Sequence, residues 1–245
     1  MDGRLIVGLQ PAREALRAHG KAITKLYVLK GNSRCDRLAE FARASGVASI
    51  QIVSQGELDR LTHNARHQGV ALLAPGLTLS DWNAVVSQPL LLAVALDKIS
   101  DPQNFGAIIR SAVGLAGAAV LWGEHSSAPL TPATFRASAG AVEHATLCRV
   151  PSLVTALEQA AAAGANLVGL DAQAPTTLDA IDLRGPTVIV MGSEDRGLSR
   201  AIRQRCTMLA KLPMSRTIDS LNVSAAASIA LYEASRQRGT AHHAK

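Results

Sequence analysis

Aromatic residues are scarce in this chain: two Trp, two Tyr and three Phe among 245 residues, 3 % in all. A protein that reads single-stranded nucleic acid by base stacking needs a set of exposed rings, so that mode is excluded. Cysteine is nearly as rare. Cys35, Cys148 and Cys206 are odd in number, far apart and without a CxxC pair, which excludes a disulfide framework and a cysteine-built metal site. Cys148 and Cys206 lie in apolar stretches and read as small core residues. His63 and His67 have no partner pattern for metal or nucleophile work; they read as structural histidines, and no metal is expected. No apolar run approaches the roughly 18 residues of a membrane helix. The N-terminal MDGRLIVGLQPAREAL does not look like a signal peptide, because its short apolar stretch is flanked closely by Arg4 and Arg13. The expectation is a cytoplasmic protein with no membrane partner.

What is there is globular: 48 % apolar and 18 % charged residues, enough chain for one large domain or two small ones. The net charge of +6 is unevenly spread. Residues 1–75 hold 11 Lys/Arg against 6 Asp/Glu, a balance of +5, and residues 76–245 hold 14 against 13. An anionic partner such as RNA therefore belongs with the first third. Arg13, Lys25, Lys30, Arg34 and Arg37 are its candidate phosphate contacts, although any single one of them reads better as a solvated surface charge. Arg236, Arg238, His242, His243 and Lys245 read as a frayed tail.

The first segment, 1–75, reads as a small α/β unit. A helical pattern over 8–20 ends on Gly20, LYVL (26–29) is a short strand, and residues 37–46 repeat the helix-to-glycine pattern. SIQIVS (49–54) alternates like a strand, residues 56–62 form a short helix, and GVALLAP (69–75) closes the unit. Residues 76–89 lie between prolines and read as a linker. From residue 90, apolar strands alternate with helices. LLLAVALD (90–97) is the pattern of a strand buried on both faces, strands are expected near 118–122, 145–150, 166–171, 187–192 and 208–213, and TPATFRASAGAVEH (131–144) reads as one of the helices between them. This alternation predicts an open parallel α/β sheet over 90–245, with ligands beyond the carboxyl ends of its strands.

Three strand-end loops are chemically unusual. In DKISDPQNFGAIIRSA (97–112), Asn104 reads as a helix N-cap, Gly106 leaves the first turn open, and Arg110 lies one turn later on the Gly106 face. An ordinary capped helix with a surface arginine would look the same. MGSEDRGLS (191–199) has the glycine spacing of a phosphate loop but Leu198 where the lysine belongs, and Glu194 and Asp195 where phosphates would sit. No GxGxxG opens a helix either, so nucleotide-dependent dehydrogenation is unsupported. A glycine loop with carboxylates suits a cationic ligand such as a sulfonium. In LPMSRTIDSLNVSAAASIALYE (212–233), Leu212 and Met214 flank Pro213 and offer apolar surface for a planar adenine. Ser220 and Asn222 stand beside Leu221 at the start of a helix they could cap, and the run Ser224–Ser228 is small enough for close helix packing.

Together and in this order, these loops resemble the three motifs of the SpoU family of RNA ribose 2′-O-methyltransferases, a branch of the TrmH-like SPOUT superfamily. Asn104-x-Gly106-x3-Arg110 is similar to the first motif, Met191-Gly192-x-Glu194-x2-Gly197 to the second, and Pro213-Met214-x5-Ser220-Leu221-Asn222-Val223-Ser224 to the third. The basic first segment, with His67-Gln68-Gly69 before its last strand, resembles the N-terminal RNA-binding domain of the ribosomal members. The similarity is greatest to the members that methylate a guanosine of 23S ribosomal RNA. It implies an S-adenosylmethionine cofactor, a deep trefoil knot in the C-terminal domain, and a homodimer formed through the knotted region. It implies cofactor contacts from Gly192, Leu212, Met214 and Leu221, mainly through backbone, and places Asn104, Arg110, Glu194, Ser220 and Asn222 around the reacting ribose. At Asp195–Arg196 many relatives have a further small residue, so this loop departs from the family pattern.

Chemically, a guanidinium holds its proton above pH 12 or so. Arg110 therefore reads as a cation for phosphate and developing alkoxide charge, with Glu194 or water accepting the proton. The rival readings are methylation of transfer RNA or another ribosomal site, and a non-catalytic RNA-binding assembly factor.

Overall fold

The computed structural model describes residues 3–124, 130–215 and 220–239, which cluster into two units: residues up to Thr78 with Ala139–His144, and Leu79–Ser138 with the chain from Ala145.

The first unit contains β1 (Arg4–Val7), α1 (Leu9–His19), β2 (Lys25–Leu29), α2 (Ser33–Ala44), β3 (Ile50–Val53), α3 (Gln55–Leu61) and β4 (Val70–Ala74). Its sheet runs β1-β4-β2-β3, with β4 antiparallel to both neighbours and β2 parallel to β3. Period-2 alternation buries Leu26 and Val28 against Leu16, Leu38 and Leu72. Asn32 Oδ1 accepts from Arg34 N at 3.0 Å to start α2, and a Ser54–Glu57 capping box starts α3. The four-residue β1 had no sequence signal beyond its short apolar run. In the same unit Glu143 receives both terminal nitrogens of Arg4, at 2.8 and 2.6 Å, and lies 2.9 Å from His19 Nε2.

The second unit contains α4 (Trp82–Val86), β5 (Leu92–Leu96), α5 (Pro102–Ser111), β6 (Ala119–Gly123), α6 (Pro132–Ala137), β7 (Leu147–Val150), α7 (Leu153–Ala162), β8 (Asn166–Leu170), β9 (Thr176–Thr177), β10 (Thr187–Met191), α8 (Arg200–Arg203), β11 (Met208–Lys211) and α9 (Val223–Gln237). Seven parallel strands run β7-β6-β5-β10-β8-β11-β9. Every residue of β5, β6 and β10 is buried, as their unbroken apolar runs require.

Three sequence expectations need correction. Of the stretch 76–89 read as linker, residues 79–89 belong to this unit: α4 buries Trp82 to 4 % exposure and its indole N–H donates to Ala156 O at 3.1 Å. The helix expected through 131–144 stops at Ser138, because Ala139 and Gly140 take left-handed φ of 50° and 90°. Arg236 and Arg238 are not in a frayed tail; Arg238 donates to the carbonyls of Leu183, Leu90, Leu91 and Gly185 at 2.8, 3.0, 3.1 and 2.5 Å. His242, His243 and Lys245 lie outside the described residues.

Candidate active site

At the carboxyl ends of β5, β10 and β11, three loops emerge from the buried centre of the sheet. The first leads from Asp97 to α5. Its N-cap is Asp101, whose Oδ1 accepts from Gln103 N at 2.9 Å, with Pro102 in the first turn. Asn104 is therefore not the cap expected from sequence, and its side chain is free for other partners. It is buried, and its Nδ2 donates to Glu194 Oε1 at 2.8 Å while its Oδ1 accepts from Asn222 Nδ2 at 3.0 Å. Residues 90 and 118 positions away in the chain thus meet at one amide.

Gly106 does not open a face to ligand. A Cβ there would stand 2.5 Å from Thr134 O and 2.6 Å from Ala137 Cβ, so the glycine exists for the crossing of α5 and α6. Arg110 lies six residues beyond Asn104, about 240° around the helix. It is exposed and its side chain has no ion pair among the described residues. Beyond it α5 widens into one π-helical turn, Ala112–Ala116, ended by Gly117 at φ 59°.

The second loop, 192–199, closes on itself. Ser193 and Gly197 exchange two backbone hydrogen bonds, both at 3.0 Å, and Arg196 N donates to Ser193 Oγ at 3.3 Å. The backbone of Gly197 and Leu198 occupies the space where a Gly192 side chain would begin. Gly192 is thus a glycine first because the loop folds over it. Asp195 and Arg196, the positions departing from the family pattern, sit exposed at the tip, and Glu194 is presented beside them. Sequence reasoning missed Asp97. Buried at the end of β5, it accepts from Ser199 N at 2.6 Å and so holds the exit of this loop. A lone carboxylate ending a wholly apolar strand was the available signal.

In the third loop Leu212, Met214 and Leu221 are half-buried, and Pro213, Met214 and Ser215 form no hydrogen bond among the described residues. Asn222 is the N-cap of α9, as expected: its Oδ1 accepts from Ser224 N at 2.9 Å and from Ser224 Oγ at 2.6 Å. Ser220 is exposed and makes no hydrogen bond among the described residues. The structure therefore joins Asn104, Glu194 and Asn222 directly, whereas Arg110 and Ser220 stand apart from that chain.

In the first unit Arg13, Lys30, Arg34 and Arg37 are exposed, and Lys25 is half-buried with its ammonium 5.5 Å from the Tyr27 ring centre. None of the five forms an ion pair among the described residues. His67 is structural: Nδ1 accepts from Gly69 N at 2.9 Å, which leaves Nε2 to donate to Asp59 Oδ1 at 2.9 Å. Cys148 and Cys206 are thiols that burial pushes up to about 11, unsuited to nucleophilic work. Among the described residues no group of three or more His, Cys, Asp or Glu could hold a metal ion, and no helix is long and apolar enough to cross a membrane.

A parallel α/β domain with an amide–carboxylate cluster at its strand ends, preceded by a small α/β unit whose five candidate phosphate contacts form no ion pair among the described residues, suits an RNA-modifying transferase. The chain belongs to the SpoU rRNA Methylase family, whose model matches residues 91–232; a second model, RNA 2′-O ribose methyltransferase substrate binding, matches residues 5–79. A tRNA/rRNA methyltransferase of Mycolicibacterium vanbaalenii is 41 % identical, the match covering 98 % of this chain and 78 % of the relative; one of Mycobacterium tuberculosis is 41 % identical over 95 % and 74 %. The crystal structure of the SpoU methyltransferase AviRb from Streptomyces viridochromogenes in complex with AdoMet aligns with a TM-score of 0.77 at 27 % identity, covering 98 % of this chain and 92 % of that one. A crystal structure of an RNA 2′-O ribose methyltransferase aligns with a TM-score of 0.79 at 29 % identity, covering 96 % and 89 %. This chain is an RNA methyltransferase.

Proposed function

We propose that this protein transfers a methyl group from S-adenosyl-L-methionine to the 2′-hydroxyl of a guanosine ribose in 23S ribosomal RNA. The observation that carries the reading is the hydrogen-bonded set Asn104, Glu194 and Asn222, one residue from each of three loops at the carboxyl end of the sheet. The residues fit such a donor. Half-buried Leu212, Met214 and Leu221, with Pro213 and Ser215 beside them making no hydrogen bond among the described residues, suit an adenine; Glu194 and Asp195 suit a cationic sulfonium and would repel a polyphosphate. When bound, that donor supplies an electrophilic methyl group.

The chain's own residues then have to align the ribose oxygen and ease loss of its proton. Alignment is the larger contribution, about 7–11 kcal/mol for a well-held pair, against about 10²–10⁴-fold for a general base. Glu194 Oε1 is engaged by Asn104, and its Oε2, without a partner among the described residues, is the proton acceptor. Arg110, without an ion pair among the described residues, holds a phosphate and stabilises negative charge on the attacking oxygen. Ser220 contacts the ribose, and Gly192 meets the donor through its backbone. The first unit grips RNA with Arg13, Lys25, Lys30, Arg34 and Arg37. The working form is a cytoplasmic homodimer that pairs through a C-terminal domain tied in a trefoil knot; Ile229 and Tyr232, 44 % and 54 % exposed on α9, support the pairing, and the late strands β10 and β11 lying between earlier neighbours support the knot.

The test is incubation with methyl-labelled S-adenosylmethionine and deproteinised 23S RNA, 16S RNA and transfer RNA, followed by nucleoside analysis. Label in 2′-O-methylguanosine of 23S RNA is expected. Label on a base, or on no RNA, would overturn the reading.

A further inference from the structure

We propose that Ser224 is a positioning residue: by claiming the side-chain oxygen of Asn222 it sets the polarity of the amide chain that orients Glu194. The inference rests on the transferase reading above.

A primary amide has a donor end and an acceptor end, and turning it over exchanges them. Asn222 Oδ1 receives two donors from Ser224, the backbone N–H at 2.9 Å and the hydroxyl at 2.6 Å. With its oxygen so committed, Asn222 presents Nδ2 to Asn104 and meets an oxygen there at 3.0 Å. Asn104 is then committed in turn: its oxygen faces Asn222, so its Nδ2 faces Glu194 Oε1 at 2.8 Å. The reversed chain would set an amide oxygen against the Glu194 carboxylate and an NH₂ group against the Ser224 backbone N–H, which can only donate, while the Ser224 hydroxyl would have to give up its short bond to Oδ1 and turn over to accept. Each end rejects the reversal, so one orientation holds throughout. Its product is a carboxylate gripped at Oε1 with Oε2 left for substrate.

The far side of Ser224 is also fixed. Ser228 Oγ donates to Ser224 O at 2.7 Å and lies 2.7 Å from Ser111 Oγ, which in turn reaches Ala107 O at 3.1 Å. Ser111 belongs to α5, the helix of Asn104, and Ser228 to α9, which Asn222 caps. The two helices that carry the amides are thereby held in one register, the preorganisation a proton acceptor needs.

Ser224→Ala deletes one of the two donors without touching substrate or the helix backbone. Loss of one short hydrogen bond predicts kcat about tenfold lower, with KM for 23S RNA and calorimetric affinity for S-adenosylmethionine within about twofold of wild type. Ser224→Thr, which keeps the hydroxyl, restores kcat to within about twofold. Asn222→Asp still caps α9 but offers Asn104 an oxygen, which reverses the chain; kcat falls about a hundredfold while the melting temperature holds. Wild-type kcat in Ser224→Ala, equal slowing in Ser224→Ala and Ser224→Thr, or an active Asn222→Asp would each overturn the inference. A wild-type protein that labels no RNA sinks the transferase reading instead. The chain is then decided by ¹⁵N spectra of the side-chain amides, assigned with Asn104→Asp and Asn222→Asp. Resonances that move toward free-amide positions in Ser224→Ala uphold it, and unmoved resonances overturn it.

Discussion

The two ends of the seven-stranded sheet hold arginines in opposite circumstances. At the amino end Arg238 spends four donor contacts on the carbonyls of Leu90, Leu91, Leu183 and Gly185, and burial lowers its pKa. It lines a cavity of about 390 Å³ together with Leu91, Ala119, Thr146 and Gln237, yet nearly all of its hydrogen-bonding capacity is used. At the carboxyl end Arg110 is exposed and without an ion pair among the described residues, close in sequence to a buried amide tied to a half-engaged carboxylate. A cavity with satisfied polar groups is architecture. A cluster with open valences among the described residues, at the end of the sheet where parallel strands deliver ligands, is the candidate for chemistry.

That contrast is sharpest if the two arginines fail differently on truncation. Arg110→Ala is expected to lower kcat/KM about 10²–10³-fold, the scale of losing one preorganised charge at a reacting oxygen. Its melting temperature stays put, because an exposed side chain with no ion pair among the described residues is worth within about 0.5 kcal/mol. Turnover and thermal unfolding, measured on one preparation, check both halves. A stable protein with ordinary turnover would remove Arg110 from the chemistry, as would a fully active Arg110→Lys with unchanged RNA affinity.

Arg238→Ala should do the reverse. Stranding several carbonyls near the core costs about 3 kcal/mol, which for this chain length lowers Tm by about 6–12 °C. Activity per folded molecule, assayed well below the transition, should match wild type. A large drop there, with Tm unchanged, would make the amino-end cavity functional and dissolve the distinction.

Asp97→Ala tests whether the carboxyl end also contains architecture. Its carboxylate holds Ser199 N at 2.6 Å, so its loss should cost about 1–3 kcal/mol and loosen the loop that presents Glu194. Hydrogen exchange at residues 192–199 should accelerate while the strand amides of β5 stay protected. No change in exchange would mean the loop is fixed by the Ser193–Gly197 pair alone.

What could be read from residues alone divides along a related line. Parallel strands were legible because β5 and β10 are buried on both faces and so are apolar throughout, and Asn222 was legible as a cap because capping is local. Gly106, Gly192 and Arg238 were visible as residues, but their work was not. Gly106 answers to α6 and Gly192 to the backbone five and six residues on; Arg238 answers to carbonyls some 50 and 150 positions away. Asn104 was misread as a cap because Asp101, three residues earlier, does that work. Trp82 sat between prolines, where one buried aromatic carries no periodicity. Local patterns report periodicity and caps; they do not report which distant backbone a side chain must satisfy.

The smallest expected effect lies on the seam between the two kinds of region. Ser111 and Ser228 face each other across α5 and α9 at 2.7 Å, and each can also serve its own helix, Ser111 to Ala107 O and Ser228 to Ser224 O. Each hydroxyl has one proton, so the pair competes for donors and neither contact is at full strength. Ser111→Ala therefore costs about 1 kcal/mol, a Tm change of about 2–4 °C, because Ser228 keeps its bond to Ser224. The Ser111→Ala, Ser228→Ala double variant should be less destabilised than the sum of the singles, since either single change already removes the shared contact. Strict additivity in a double-mutant cycle would show that the hydroxyls act separately, and the seam would then belong to the packing of small residues rather than to the polar chain that leads to Glu194.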